Sequence, residues 1–378
     1  MTQPAYFGRG SIQRIQDILK YLAADQVFLV CGSRSYVVSG AASALVPALA
    51  GREVTKFTDF SINPQWSDIQ KGLEAYRESG AGLILAVGGG SAIDVAKAIA
   101  VCSIQPSAPE AILRGEAAIE YPSRQVIAVP TTAGSGSEAT QFAVVYDGTK
   151  KYSIAHESML PTYCVVDPDL TESMWPRLAA VTGVDALAQA IESYWAVEST
   201  HESQGFATKA IELAIEYLPR AVHNPSPESR EAMSLAAHMA GKAINVTRTT
   251  APHALSYPVS LGYNVPHGHA VGLTLGDVLV FNAGVSDESC NDPRGAAHVR
   301  ASVLEICRLM GCEHPDEARL MLNNMLVDFG LPIFLEAFGI DSAEKRAALA
   351  SEVNVDRLSN NPRRLTPTDV VNLYEAIQ

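Results

Sequence analysis

The sequence predicts an α/β domain at the N-terminus followed by an all-α domain, and two observations support this prediction. Up to about residue 170, short β-rich apolar runs alternate with segments of helical spacing, a pattern typical of a parallel sheet wrapped by helices. After Asp169 the chain becomes rich in Ala, Leu and Glu, with long segments of helical periodicity. The length of 378 residues fits about two domains.

The individual elements follow from the apolar pattern. Strands are predicted at 27–31, 83–87, 126–129 and 163–166, and helices at 66–79, 179–197, 203–218 and 227–246. In the first of these helices, Ile69, Leu73 and Tyr76 share one face, as expected of a crossover helix. The segment from Asp167 to Thr171 contains a proline break and a capping residue. We therefore predict domains 1–169 and 170–378.

The composition narrows the possible partners and the location of the chain. The net charge of −13, with no basic cluster longer than Lys150-Lys151, argues against a nucleic-acid or anionic-membrane partner. The N-terminus lacks the features of a signal peptide, and prolines interrupt the charge-free stretch 251–276, which is therefore not a membrane span. The six cysteines show no CxxC spacing. We expect a cytoplasmic protein with reduced thiols and a small-molecule substrate.

A glycine-rich turn is the first candidate binding element. Gly88, Gly89, Gly90 and Ser91 follow a predicted buried strand and precede a helical segment. Glycines let a backbone approach a diphosphate closely, and a helix N-terminus offers free N–H groups and a positive dipole end. The turn differs from the usual GxGxxG fingerprint, and a tight connection without ligand remains an alternative.

A second loop, rich in small residues, follows the next predicted strand. It runs from Pro130 to Glu138 and carries the hydroxyls of Thr131, Thr132 and Ser135 beside glycines. Hydroxyls next to free amides suit ribose and phosphate oxygens, although a solvent loop would also explain the glycines. Two such loops at the ends of neighbouring strands predict dinucleotide binding.

Four polar residues in the second half are candidate metal ligands. His253 and His267 lie in the charge-free stretch 251–276, and Asp185 and Gln189 are four apart on one face of a predicted helix. One carboxylate and two imidazoles suit a divalent metal, whereas an amide oxygen is a weaker ligand. The set matches no short zinc motif, so hydrogen-bonded core histidines and a solvent-facing aspartate remain alternatives.

A family resemblance extends over nearly the whole chain. The segments that carry it are Phe7-Gly-Arg-Gly10, Asn63-Pro64, the Gly-Gly-Gly-Ser-x-x-Asp-x-x-Lys run at 88–97, Thr131-Thr-Ala-Gly-Ser135, Asp167-Pro168, Gly183-Val-Asp-Ala-Leu187 and Pro266-His-Gly268. In these segments and their order, the chain resembles the iron-containing (group III) alcohol dehydrogenases, whose superfamily also includes glycerol dehydrogenase and dehydroquinate synthase. The resemblance implies an N-terminal dinucleotide-binding α/β domain, a helical C-terminal domain for metal and substrate, and a homodimer or higher homo-oligomer.

The resemblance also implies roles for particular residues. It implies that Asp185, His253 and His267 bind iron or zinc, that Gly88, Gly89, Gly90, Ser91 and Asp94 belong to the diphosphate-binding run, that Thr131, Thr132 and Ser135 form the second cofactor loop, and that Lys151 reaches the nicotinamide ribose. The implied reaction is hydride transfer from the nicotinamide to an aldehyde whose oxygen the metal polarises.

Two residues depart from the family pattern. Gln189 stands where most metal-dependent relatives carry histidine, so we expect weaker or altered metal binding, with Gln189 a distant or water-mediated ligand. A metal-independent reductase remains an alternative. Tyr257 stands where many relatives carry another histidine. A phenol, with a pKa of about 10, can donate a proton but is a poor base at neutral pH, and a packed aromatic is an equal interpretation. The proton relay is therefore unassigned.

The cofactor preference is predicted from the turn after the strand at 27–31. NAD-preferring relatives place an acidic residue there, where this chain has Gly32 followed by Ser33 and Arg34. The hydroxyls of Ser33 and Ser35 and the guanidinium of Arg34 could accept a 2′-phosphate, which favours NADP over NAD. The alternative is that Arg34 only points into solvent.

The substrate class is predicted from Lys242 and Arg248, two cations shortly before His253. In an acidic protein such cations suggest a negatively charged aldehyde, although ion pairs with helix carboxylates would also explain them. Within the family, the combination of Gln189, Ser193-Tyr-Trp195, Thr249-Thr-Ala-Pro-His253, Ser256-Tyr257 and Gly268-His-Ala270 resembles phosphonoacetaldehyde reductases. We predict an aldehyde reductase, and a carbon–oxygen lyase of the dehydroquinate synthase type, using nicotinamide transiently, is the competing class.

Overall fold

Six parallel strands form the central sheet of the first half of the chain. The computed structural model describes residues 3–148, 150–354 and 358–377, and the chain folds into two compact units, Met1–Met174 and Trp175–Gln378. The strands are β1 (Ala5–Phe7), β2 (Gln26–Cys31), β3 (Glu53–Phe57), β4 (Leu83–Gly88), β5 (Gln125–Pro130) and, after the hairpin of β6 (Phe142–Asp147) and β7 (Lys150–Ala155), β8 (Tyr163–Val166). The sheet order is β1-β8-β5-β4-β2-β3.

Helices cover both faces of this sheet. They are α1 (Arg14–Tyr21), α2 (Ser35–Val38), α3 (Ala41–Ala44), α4 (Val46–Leu49), α5 (Trp66–Ser79), α6 (Gly90–Cys102) and α7 (Pro109–Arg114). Alternate residues of β2 enter opposite cores: Phe28 and Val30 pack with α5 and α6, whereas Val27 and Leu29 pack with α1. Burial on both faces explains the near-continuous apolar runs of the central strands.

The predicted strands and the crossover helix are confirmed. The four apolar runs are β2, β4, β5 and β8, and the predicted helix at 66–79 is α5. The prediction missed β1, β3 and the β6–β7 hairpin. Strand β3 lies at the sheet edge and is largely exposed, so its sequence Glu53-Val-Thr-Lys-Phe57 lacks the apolar run of a central strand.

The second unit is helical among the residues that the structure describes. Its helices are α8 (Pro176–Trp195), α9 (His201–His223), α10 (Pro227–Thr247), α11 (Ala251–Tyr263), α12 (His267–Ala283), α13 (Ala296–Leu309), α14 (Pro315–Asp328), α15 (Ala343–Glu352) and α16 (Pro367–Ala376). Helix α8 packs against α9, α10, α12 and α13. Side-chain capping boxes at Thr200 and Ser226 start α9 and α10.

The predicted all-α character of the second half is confirmed, and the three predicted helices correspond to α8, α9 and α10. The predicted boundary at 169/170 falls in a short 3-10 turn, Pro168–Thr171, and the chain divides into its two compact units between Met174 and Trp175. Within the described parts of the chain, no helix combines the length and apolar character needed to cross a membrane.

Candidate active site

Helix α8 buries three polar side chains on one face. Asp185, Gln189 and Glu192 are spaced four and three residues apart, and they are 8%, 4% and 0% exposed. Burying polar side chains costs free energy unless they form hydrogen bonds or ion pairs with other groups. The partners come from the two helices that follow α10, namely α11 and α12.

The two predicted histidines converge on Asp185. Its Oδ1 lies 3.3 Å from Nε2 of His253, in the first turn of α11, and 3.9 Å from Nε2 of His267, the first residue of α12. The ligand atoms of the three residues lie within 4.8 Å of one another. One carboxylate oxygen and two imidazole nitrogens at this spacing are a donor set that iron or zinc accepts.

Gly268 allows α12 to approach α8 closely enough to bring His267 to Asp185. A Cβ at position 268 would lie 1.9 Å from the carbonyl oxygen of Val181 and 2.9 Å from Cβ of Asp185. One turn later, a Cβ on Gly272 would lie 2.9 Å from Cγ1 of Val184. The close packing of α12 on α8 therefore requires glycine at the last position of the Pro266-His267-Gly268 motif.

Glu192 holds His253 from the side opposite Asp185. Its Oε2 accepts a hydrogen bond from Nδ1 of His253, while its Oε1 accepts from Thr250 N at 2.9 Å, Thr250 Oγ1 at 3.0 Å and His253 N at 3.3 Å. Trp195 Nε1 donates to Thr250 Oγ1 at 2.9 Å. A carboxylate on Nδ1 leaves Nε2 for a metal, the arrangement common among histidine ligands. The sequence analysis missed Glu192, although it lies on the same helix face as Asp185.

The electrostatics of this cluster suit a cation. Burial alone would lower the pKa of His253, but the charge of Glu192 and the hydrogen bonds with Asp185 and Glu192 outweigh it and raise the pKa to about 9. The two carboxylates therefore stabilise positive charge at the position where the ligand atoms converge.

Tyr257 lies one turn after His253 on α11 and packs on the second histidine. Its ring stacks on that of His267 with centroids 5.7 Å apart and an interplanar angle of 3°. The stack restricts the orientation of the His267 ring, which is half-exposed at the start of α12.

The two predicted substrate cations differ in their surroundings. Nζ of Lys242 lies 4.1 Å from the ring centroid of Phe206, and the side chain is half-buried. Arg248 is exposed at the end of α10, with the positive φ of 59° that is uncommon outside glycine. The backbone on both sides of Arg248 is fixed, because Asn360 Nδ2 donates to the carbonyl oxygens of Thr247 at 2.7 Å and Thr249 at 3.2 Å.

In the first unit, the two predicted cofactor loops touch. A Cβ on Gly90 would lie 2.7 Å from Ser135 Oγ, and one on Gly89 would lie 3.3 Å from Thr132 Oγ1. Gly89 is the N-cap of α6, so the first amides of that helix and the hydroxyls of the second loop lie together at the carboxyl ends of β4 and β5. Ser91 Oγ donates to the carbonyl oxygen of Ile62.

Asp94 and Lys97 tie α6 to the second loop. The Asp94 carboxylate accepts hydrogen bonds from Ser137 Oγ and Val144 N. The fully buried Lys97 donates to Ser137 Oγ at 3.1 Å, Thr140 Oγ1 at 2.9 Å and the carbonyl oxygen of Phe142 at 3.0 Å. Burial lowers the pKa of Lys97 to about 8, against the opposing charge of Asp94. Both side chains therefore shape the loop through protein contacts.

The remaining predicted cofactor residues lie on the same unit. Gly32, Ser33 and Arg34 form the turn between β2 and α2, in which Ser33 and Arg34 are exposed. Lys151 is half-buried on β7, opposite Tyr146 in the hairpin register.

Comparison with known proteins identifies the family. Residues 3–168 match the model of the iron-containing alcohol dehydrogenases, and residues 179–378 match the C-terminal model of the Fe-containing alcohol dehydrogenase family. A phosphonoacetaldehyde reductase from Streptomyces viridochromogenes is 37% identical over 294 residues, covering 75% of this chain and 73% of that protein. An NAD-dependent methanol dehydrogenase from Bacillus methanolicus is 28% identical over 374 residues, covering 97% and 96%.

A solved structure agrees with these matches. The crystal structure of sulfoacetaldehyde reductase from Bifidobacterium kashiwanohense in complex with NAD⁺ superposes with a TM-score of 0.89 at 32% identity, covering 99% of this chain and 96% of that chain. The chain belongs to the iron-containing alcohol dehydrogenase family. It is an NAD-linked oxidoreductase of the alcohol dehydrogenase and aldehyde reductase type, and the lyase alternative is not favoured.

The packing role of Gly268 can be tested with a matched glycine. The substitution Gly268→Ala places a methyl group against backbone, so we expect it to lower the free energy of unfolding by about 3 kcal/mol or more and to reduce metal content. Gly205→Ala is the control, because this exposed glycine of α9 has open space and alanine should stabilise the helix by about 0.5–1 kcal/mol. Thermal unfolding and metal analysis give both readouts. Equal unfolding temperatures for the two variants would contradict the packing argument.

Proposed function

We propose that the chain interconverts a small anionic aldehyde and its primary alcohol, with Asp185, His253 and His267 as the ligands of a divalent metal, iron or zinc. The observation that carries the proposal is the convergence of these three ligand atoms within 4.8 Å, with Asp185, His253 and the neighbouring carboxylate of Glu192 buried. A metal bound there supplies Lewis-acid polarisation of the substrate oxygen, and a bound nicotinamide supplies or accepts the hydride.

The residues around the ligands position them. Glu192 directs His253, Tyr257 stacks on His267, and Gly268 sets the distance of α12 from Asp185. Gln189 is buried one turn from Asp185, and we assign it a distant or water-mediated contact with the metal. The Tyr257 phenol remains the candidate proton donor within this set.

The cofactor assignment is supported by the two touching loops of the first unit. We assign Gly88, Gly89, Gly90 and Ser91 to the diphosphate, Thr131, Thr132 and Ser135 to the second loop, and Lys151 to the nicotinamide ribose. Asp94 acts on this site indirectly, by holding Ser137. In this assignment residues 1–169 bind the dinucleotide and residues 170–378 hold metal and substrate. A homodimer and a cytoplasmic location remain predictions.

The anionic character of the substrate is supported by Arg248. Its guanidinium is exposed on a fixed loop that leads directly into α11 and His253, whereas the ammonium group of Lys242 is engaged with the Phe206 ring. The names of two relatives agree with this assignment, because they are reductases of a phosphonate-bearing and a sulfonate-bearing aldehyde. Arg248 is therefore the stronger candidate for the anionic group, with Lys242 secondary.

Metal removal tests the central proposal. We expect the metal-stripped protein and the Asp185→Ala variant to lose about 100-fold or more in kcat/KM for aldehyde reduction, because a Lewis acid contributes several kcal/mol at the developing alkoxide. Nicotinamide absorbance with a panel of neutral and anionic aldehydes gives the rates. Added zinc or iron should restore the stripped protein but not the variant. Unchanged turnover of Asp185→Ala without metal would support the metal-independent alternative.

The substrate charge is tested by comparing two aldehydes. We expect Arg248→Ala to raise KM for sulfoacetaldehyde about 10- to 100-fold, the value of a charge-assisted hydrogen bond, and to change KM for propionaldehyde little. Lys242→Met serves as the comparison, because it keeps the stem against Phe206 and should have the smaller effect. Steady-state kinetics with both aldehydes measure the change in KM for each one. Equal effects of Arg248→Ala on the two aldehydes would contradict the assignment of Arg248 to the anionic group of the substrate.

The cofactor preference is tested at Arg34. If Ser33 and Arg34 receive a 2′-phosphate, Arg34→Asp should lower kcat/KM for NADPH about 10- to 100-fold and leave NADH within a few-fold. Arg14→Asp, at an exposed position of α1, changes the net charge equally and is the control. Loss of NADPH and NADH activity to the same extent would contradict the predicted NADP preference.

A further inference from the structure

We infer that Glu192 is a positioning residue that fixes the proton of the His253 ring on Nδ1 and thereby sets the metal affinity of the centre. The inference rests on the proposed function, since it concerns the same metal. Glu192 itself lies behind His253, with its Oε2 on Nδ1 and not among the three converging ligand atoms.

The contacts of Glu192 leave little freedom for its orientation. The side chain is fully buried, and its Oε1 already accepts from two groups of Thr250 and from the His253 backbone. Its Oε2 therefore faces Nδ1 of His253. An ionised carboxylate can only accept, so Nδ1 must carry the proton and donate it. Metal binding requires the ring to give up its second proton, and because Glu192 holds the first on Nδ1, the lone pair is then on Nε2, the atom 3.3 Å from Asp185 Oδ1.

Replacing Glu192 by glutamine would reverse this arrangement with almost no change in size. Three donors surround the Oε1 position, so they would select the amide oxygen there. The amide nitrogen would then stand at the Oε2 position and donate to Nδ1. A neutral His253 ring would have to carry its proton on Nε2, and a protonated Nε2 cannot bind a metal. One atom at residue 192 therefore decides whether the imidazole is a ligand.

Glu192 also supplies a charge that the ligand set lacks. Among Asp185, Gln189, His253 and His267, the aspartate is the single carboxylate. A second carboxylate bonded to His253 makes the imidazole a more basic ligand, and its negative charge balances part of the positive charge of a divalent ion. This contribution compensates in part for the amide at position 189.

Because Glu192 additionally bonds the first turn of α11, its structural role must be separated from its effect on the metal. Asp292 offers a matched control within the same unit. Its carboxylate is fully buried and bonds Arg294, which in turn donates to the carbonyl oxygens of Ser199 and Ala196. The substitution Asp292→Asn removes a buried carboxylate in the way that Glu192→Gln does, at a position outside the cluster of Asp185, His253 and His267.

The test is the zinc dissociation constant of the full-length, metal-stripped protein, measured by competition with a chelator. We expect Glu192→Gln to weaken zinc binding about 10- to 100-fold, the usual effect of losing a group that orients a ligand. Asp292→Asn should lower the unfolding temperature but keep the dissociation constant within about threefold. The visible spectrum of the cobalt-loaded protein should change with Glu192→Gln and remain unchanged with Asp292→Asn.

The conservative variant Glu192→Asp keeps the charge and provides a second measurement if Glu192→Gln does not fold. Its carboxylate still accepts from Nδ1 but is one methylene shorter, so we expect a zinc affinity between those of Glu192→Gln and the unsubstituted protein. Zinc affinities of the folded Glu192 variants within about threefold of the unsubstituted protein would overturn the inference. If the unsubstituted protein bound neither zinc nor cobalt, the proposed function itself would fail, which the same titration reveals.

Discussion

The constraint on which the second unit depends is the burial of three polar side chains along one face of α8. Asp185, Gln189 and Glu192 lie where apolar residues would otherwise fill the helix packing, and burial of two carboxylates is costly without donors or a cation. Helices α11 and α12 meet this demand with the first turn of one and the first residue of the other. The site therefore follows from the need of these buried polar side chains for bonding partners within the core of this unit.

The two carboxylates on this helix face contact different groups. Asp185 faces both imidazole Nε2 atoms, whereas Glu192 faces Nδ1 of His253 and the start of α11. Gln189 lies between them in sequence and carries no charge. With an uncharged amide at this position, the negative charge on this helix face comes from the two carboxylates that flank Gln189. The departure at Gln189 and the hydrogen bonds of Glu192 belong to one arrangement.

Local patterns in the sequence were sufficient for much of the fold and part of the site. Central strands buried on both faces are apolar throughout, and helix α5 has a clear apolar face, so both could be predicted. The metal candidates were found because the charge-free stretch 251–276 makes its histidines conspicuous. Glu192 was missed because its partners, Thr250 and His253, are about 60 residues away and only the tertiary structure brings the start of α11 to this side chain. The contacts of Asp94 could not be predicted for the same reason, because its bonds to Ser137 and Val144 arise from tertiary structure.

The most direct test of this account is the anomalous diffraction of crystals of the zinc-loaded protein at the zinc edge. We predict one peak per chain in the second unit, about 2.0–2.2 Å from an Asp185 carboxylate oxygen and from Nε2 of His253 and of His267, with Nδ1 of His253 still bonded to Glu192. A peak coordinated through Nδ1 of His253, or a bound zinc ion away from Asp185, would contradict it.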